Sequence, residues 1–132
     1  MEPNTTLKPE QVLGMMQAKM GATMPAWPQL LADLGPDLLV ATGMTSAGSV
    51  GREASPIPAK YRCLIAVAAA LGRGQAGCAR SQAHMAIQAG ASAEEVLDTV
   101  RIARHLAAAG ILDAATALLA DLGDGAPGER PR

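Results

Sequence analysis

At 132 residues, 49% hydrophobic and 17% charged, the chain has the size and balance of one globular domain with a single core. A formal net charge of -1 supplies no field to gather nucleic acid or acidic lipid, which excludes a polyanion-binding class. With no Phe, one Trp and one Tyr, burial falls to Leu, Ile, Val, Met and Ala, so little area is hidden per residue and the protomer is a candidate for burying more in an oligomer.

The chain opens Met1-Glu2-Pro3-Asn4, without the basic end and apolar stretch of a secretory signal, and no uncharged apolar run approaches the roughly 20 residues of a membrane helix. A cytoplasmic protein without membrane contact is expected. Pro9 suits a first helical turn, Val12, Leu13, Met16 and Met20 recur at helical spacing, and Gly21 is placed to end the helix. The methionines Met15, Met16, Met20 and Met24 read as core filler. Trp27 to Leu34 is a short amphipathic segment, Gly35-Pro36 breaks it, and Asp37 to Gly43 forms another turn or two. Thr45 to Pro56, rich in Ser, Gly and Pro, reads as a loop. From Pro58 to Gly72 almost no polar face remains, which predicts the buried central helix. A second central helix runs from Gln75 to Ala89 and stops at Gly90. Ser92 with Glu95 three residues on is a capping-box signature. The helix it starts runs toward Ala109, and Ile111 to Leu122 forms the last, ending at Gly123. Asp124 to Arg132 is short, polar and rich in Pro and Gly, and is expected to be a disordered tail. The prediction is an all-α fold of about six helices, with one domain over residues 1–123 and the tail over 124–132.

Two cysteines in a helix-rich chain read as buried thiols or a redox pair rather than a structural disulfide. His84 and His105 are too few for a four-ligand zinc site, so neither a metal nor an organic cofactor is expected.

The run from Ile57 through Leu71, then Gly77-Cys78, then Ala86 through Val96, resembles the core of the carboxymuconolactone decarboxylase and alkylhydroperoxidase D-like family. The combination is fairly specific: an apolar helix, a cysteine in the next helix's first turns, a glycine stop and a capped third helix. The similarity spans roughly Leu30 to Leu122. It implies an alkylhydroperoxidase D-like helical bundle assembled as a homo-oligomer, whether dimer, trimer or hexamer. In the peroxidase-type branch it implies a Glu on the apolar helix, a Cys-x-x-Cys pair and a His four residues after the second Cys. Aligned on Gly90, Cys78 takes the second cysteine position, Gln75 the first, Gln82 that of the His and Cys63 that of the Glu. The other register, with Ser81 as second cysteine and Met85 at the His position, misplaces Gly90 by three residues. A glutamine cannot titrate, so Gln82 can orient a group but cannot act as a general base. Acid and base groups for lactone decarboxylation are missing from the apolar helix apart from Lys60 and Arg62.

Cys78 falls about one turn into its helix, where free amides and the dipole favour negative charge, with Arg73 and Arg80 close in sequence. An inert buried thiol is the alternative. In the family arrangement Cys63 faces Cys78 across the pocket, which makes the two a candidate dithiol pair if their Cα atoms come within about 7 Å. Lys60 can favour the Cys63 thiolate or simply end the helix in solvent. Gln82 follows Cys78 by one turn and faces the same way, whereas His84 lies about 120° round the helix. Asp98, Arg101 and His105 form a polar stripe. The expected function is thiol-dependent reduction of a small-molecule peroxide or disulfide of the peroxiredoxin type, with Cys78 attacking, Cys63 resolving and Gln82 orienting. The alternatives are a non-catalytic oligomeric member binding a small molecule, and a metal-binding variant using Cys63, Cys78 and His84.

Overall fold

A computed structural model of the chain describes residues 7–125, and within that range every regular element is helical. Seven α-helices follow in order: α1 Pro9–Met20, α2 Trp27–Leu34, α3 Pro36–Ala47, α4 Ala59–Gly72, α5 Ala76–Gln88, α6 Ala93–Ala114 and α7 Thr116–Gly123, with a 3-10 turn at Gly21–Thr23. Of the tail expected at 124–132, only Asp124 and Gly125 lie inside the described residues, as a turn after α7.

Helices α1, α2 and α3 make a small N-terminal cluster. Val12 of α1 and Leu39 of α3 are completely buried, and the two helices close tightly where Gly43 meets Val12. A Cβ on Gly43 would sit 2.7 Å from Val12 Cγ1, so the crossing needs glycine on one side. Helix α3 runs to Ala47, past the expected stop near Gly43. Thr45, read as the start of a loop, lies in the helix and satisfies its hydroxyl by donating to the Ala41 carbonyl at 3.0 Å, as Thr42 does to that of Leu38 at 2.8 Å.

The centre of the molecule is the hairpin of α4 and α5, with α6 packed on α4. Cys63, Leu64, Val67 and Ala70 turn one face of α4 inward. The expectation of an all-round buried α4 is corrected here: Tyr61, Ile65 and Leu71 are exposed. Helix α5 stops at Gly90, whose φ of 100° is a left-handed conformation open to glycine at little strain. The capping box forms as expected, with the Glu95 amide donating to Ser92 Oγ at 3.0 Å and the Ser92 amide to Glu95 Oε1 at 3.5 Å. Helix α6 continues through Gly110 to Ala114, five residues beyond the expected end at Ala109. Nothing crowds Gly110, and a lone glycine weakens a helix by only about 1 kcal/mol. The methionines of α1 are not core filler in the single chain, Met15 being exposed and Met16 and Met20 half-buried.

Candidate functional site

Helix α5 begins after the tight connector Arg73 to Gln75. Its first i→i−4 bond runs from the Ala79 amide to the Gln75 carbonyl at 3.0 Å. The amides ahead of it, that of Cys78 included, therefore have no carbonyl behind them within the helix, the arrangement that favours negative charge at a helix start. Cys78 is exposed, and so are Arg73 and Arg80.

One turn further on, Gln82 is half-buried, and its Oε1 is shut away from solvent without a hydrogen-bond partner among the protein groups. Its neighbour Ser81 is almost completely buried and donates from Oγ to the Thr23 carbonyl at 2.8 Å. That bond fastens the middle of α5 to the 3-10 turn. His84 faces the same turn, since a Cβ on Gly21 would lie 3.8 Å from His84 Nε2. Sequence reasoning passed over Ser81 as a positioning residue. Its one signal was position, a hydroxyl three residues after Cys78 on the face that packs.

Cys63 has the opposite surroundings. It is buried in one cluster with Leu64, Ala86 and Ala91, against which Val50 packs from the preceding loop. Arg62 ties that loop down, donating from Nε to the Val50 carbonyl at 2.8 Å and from Nη1 to the Ile57 carbonyl. Burial pushes the Cys63 thiol up, outweighing the opposing pull of the Arg62 and Lys19 charges. Lys60 does not serve this thiol. Its Nζ lies 3.2 Å from Glu95 Oε2 and 5.0 Å from the centre of the Tyr61 ring. The ion pair raises Lys60 and lowers Glu95 from their ordinary values, hydrogen bonding between the two being the main cause.

Cys63 shares its cluster with Ala86, near the end of α5, whereas Cys78 stands at the beginning of that helix, and the first thiol is buried while the second is exposed. Both thiols are free. Gln82 and Cys78 do share a stretch of α5, as their spacing requires. Of the polar stripe on α6, Arg101 bonds to Glu94 at 2.9 Å and to Asp98 at 3.3 Å, while His105 stays exposed.

Among the described residues, no three His, Cys, Asp or Glu side chains are grouped so as to hold a metal ion, so the reading that joins Cys63, Cys78 and His84 has no geometry behind it. No single described helix is long and apolar enough to cross a membrane.

No curated protein matches the chain. The family model of the carboxymuconolactone decarboxylase family matches residues 39–121, a stretch that begins in α3, takes in the α4–α5 hairpin with Cys63, Cys78 and Gln82, and ends in α7; the chain belongs to that family.

Proposed function

We propose that the protein is a thiol-dependent reductase of small peroxides or disulfides in which Cys78 is the attacking group. The observation that carries this reading is an open thiol among the unpaired amides of a helix start, with an unpartnered amide oxygen, Gln82 Oε1, one turn away. The Cys78 thiolate attacks one oxygen of a hydroperoxide and the O–O bond breaks. The leaving alkoxide takes up a proton and departs as the alcohol, and Cys78 is left as a sulfenic acid. A second thiol then condenses with it, releasing water and forming a disulfide, which a further thiol reduces. Gln82 orients the peroxide by accepting from its O–H once the amide turns from its buried position toward Cys78; lacking a titratable proton, it leaves proton transfer to solvent.

The second thiol in this scheme is a small-molecule thiol, because Cys78 is exposed to solvent while Cys63 is buried. The test is peroxide consumption with a small-molecule thiol as reductant. The wild type and Cys63→Ser are expected to turn over alike, and Cys78→Ser to be inactive. Turnover retained in Cys78→Ser would dismiss the reading and leave a non-catalytic member that binds a small molecule. A Cys63–Cys78 crosslink in peptide mass spectra after mild peroxide would return the resolving role to Cys63.

A further inference from the structure

Between the end of α3 at Ala47 and the start of α4 at Ala59, the chain runs as a strap of successive turns. Most of its hydrogen bonds are its own. The Ser49 and Gly51 amides donate to the Ser46 carbonyl at 3.1 and 2.9 Å, the Arg52 amide to that of Ser49, the Ser55 amide to that of Arg52, and the Ile57 amide to Ser55 Oγ. These stay within the strap or join it to the last turn of α3. Among the described residues, the side-chain bonds that fasten the strap to α4 all come from Arg62, which donates from Nε to the Val50 carbonyl at 2.8 Å and from Nη1 to the Ile57 carbonyl. Those carbonyls lie toward opposite ends of the strap, so one planar guanidinium fork holds both.

Underneath lies the cluster of Cys63, Leu64, Ala86 and Ala91, against which Val50 packs. Val50 is half-buried, whereas Arg52, Glu53 and Ala54 beyond it are exposed. Swinging the strap away therefore gives up the Arg62 fork and the Val50 contact, while the internal bonds travel with it. A segment that keeps its own bonds, and whose outer bonds meet in one residue, opens locally at less cost than global unfolding. Opening also changes the thiol beneath. Burial pushes Cys63 up against the pull of the Arg62 and Lys19 charges; with the strap away the burial is relieved, while both cations, carried on α4 and α1, stay. Lys19 reaches the strap itself, since a Cβ on Gly51 would lie 3.6 Å from its Nζ.

We infer that residues 48–57 are a strap that opens and closes as one unit over Cys63, with the Arg62 fork as its latch. Closed, the strap hides the thiol; open, it presents a solvated thiol beside two cations to a small disulfide. Strap opening does not involve Cys78, so its failure leaves the chemistry proposed for that residue untouched. The test is the labelling of Cys63 by a small aromatic disulfide in the full chain carrying Cys78→Ser, where one thiol reports. The Cys63 thiolate attacks one sulfur of the reagent, the S–S bond breaks, and the aromatic thiolate leaves. This parent is expected to label at a rate proportional to reagent and nearly constant in urea below the unfolding transition, as a local opening does. Arg62→Lys keeps the cation but loses the fork, and Val50→Ala removes the contact with the Cys63 cluster; each is expected to label ~10-fold faster. Arg52→Met, in the strap but away from the latch, is expected to label at the parent rate. Labelling by the parent that climbs with urea in step with loss of helicity shows global unfolding as the route and overturns the inference. So does the parent rate in Arg62→Lys or in Val50→Ala, whichever retains the parent helicity, and so does an Arg52→Met variant as fast as these two.

Discussion

Two cysteines of one chain differ here through their surroundings alone. Cys78 stands open at a helix start, while Cys63 is closed in by Val50, Leu64, Ala86 and Ala91 and its thiol is pushed up by burial. Their reactivities should separate accordingly. Reaction with a disulfide reagent at neutral pH is expected to modify Cys78 rapidly and Cys63 slowly, and labelling of Cys63 ahead of Cys78 would contradict the assignment. The cover over Cys63 hangs on Arg62, which holds two carbonyls of the loop before α4. A hydrogen bond from a charged donor contributes about 1.5 kcal/mol or more, so Arg62→Met is expected to raise the open fraction of the loop, and the labelling rate of Cys63, about tenfold. Gln82 offers a complementary measurement. A buried acceptor without a partner costs about 1–3 kcal/mol, so Gln82→Met should raise the urea midpoint while lowering peroxide turnover. Loss of both stability and turnover would mean that the amide is satisfied in the protein and is structural.

Among the elements, each helix boundary rests on a small number of groups whose removal has a definite sign. Ser92→Ala removes the oxygen that accepts the Glu95 amide and is expected to cost about 1 kcal/mol in equilibrium unfolding. Gly43→Ala improves helix propensity by about 1 kcal/mol, yet drives a methyl group into Val12, an overpacking cost of about 1–3 kcal/mol. A net loss is therefore expected, and it should shrink in the double variant with Val12→Ala if the clash is its origin. The Lys60–Glu95 pair joins the starts of α4 and α6. Because the Glu95 value is depressed in the folded chain, its contribution is present above the ordinary carboxylate range and fades as pH falls through the depressed value. Because that of Lys60 is raised, the contribution persists below the ordinary lysine range and fades as pH rises through the raised value. Thermal unfolding against pH should therefore lose part of its acid limb in Glu95→Gln.

At the scale of the whole molecule, the protomer is stabilised at its N-terminal end and centre and left open at its C-terminal end. Val12 and Leu39 close the first cluster and Cys63, Leu64 and Ala86 the second, whereas α6 and α7 contribute no buried residue. A chain whose elements differ this much in burial opens locally before it unfolds globally. Amide hydrogen exchange is accordingly expected to be fast across α7 and slow across the buried face of α4, and equal protection of the two helices would contradict this.

The sequence by itself determined the helical class and the element boundaries that depend on short-range chemistry: Pro9 at the first turn of α1, the stop at Gly90, the Ser92–Glu95 cap, and the i,i+4 placement of Cys78 and Gln82. These depend on neighbours within one turn, so local composition is enough to read them. Only the tertiary structure decided that Cys63 is buried and Cys78 open, that Ser81 anchors α5, that Lys60 belongs to Glu95, and that the apolar run of α4 is buried on one face while α6 and α7 contain no fully buried residue. Those depend on the level at which distant segments meet and on which side of a helix another helix covers, and spacing along a single chain carries neither quantity.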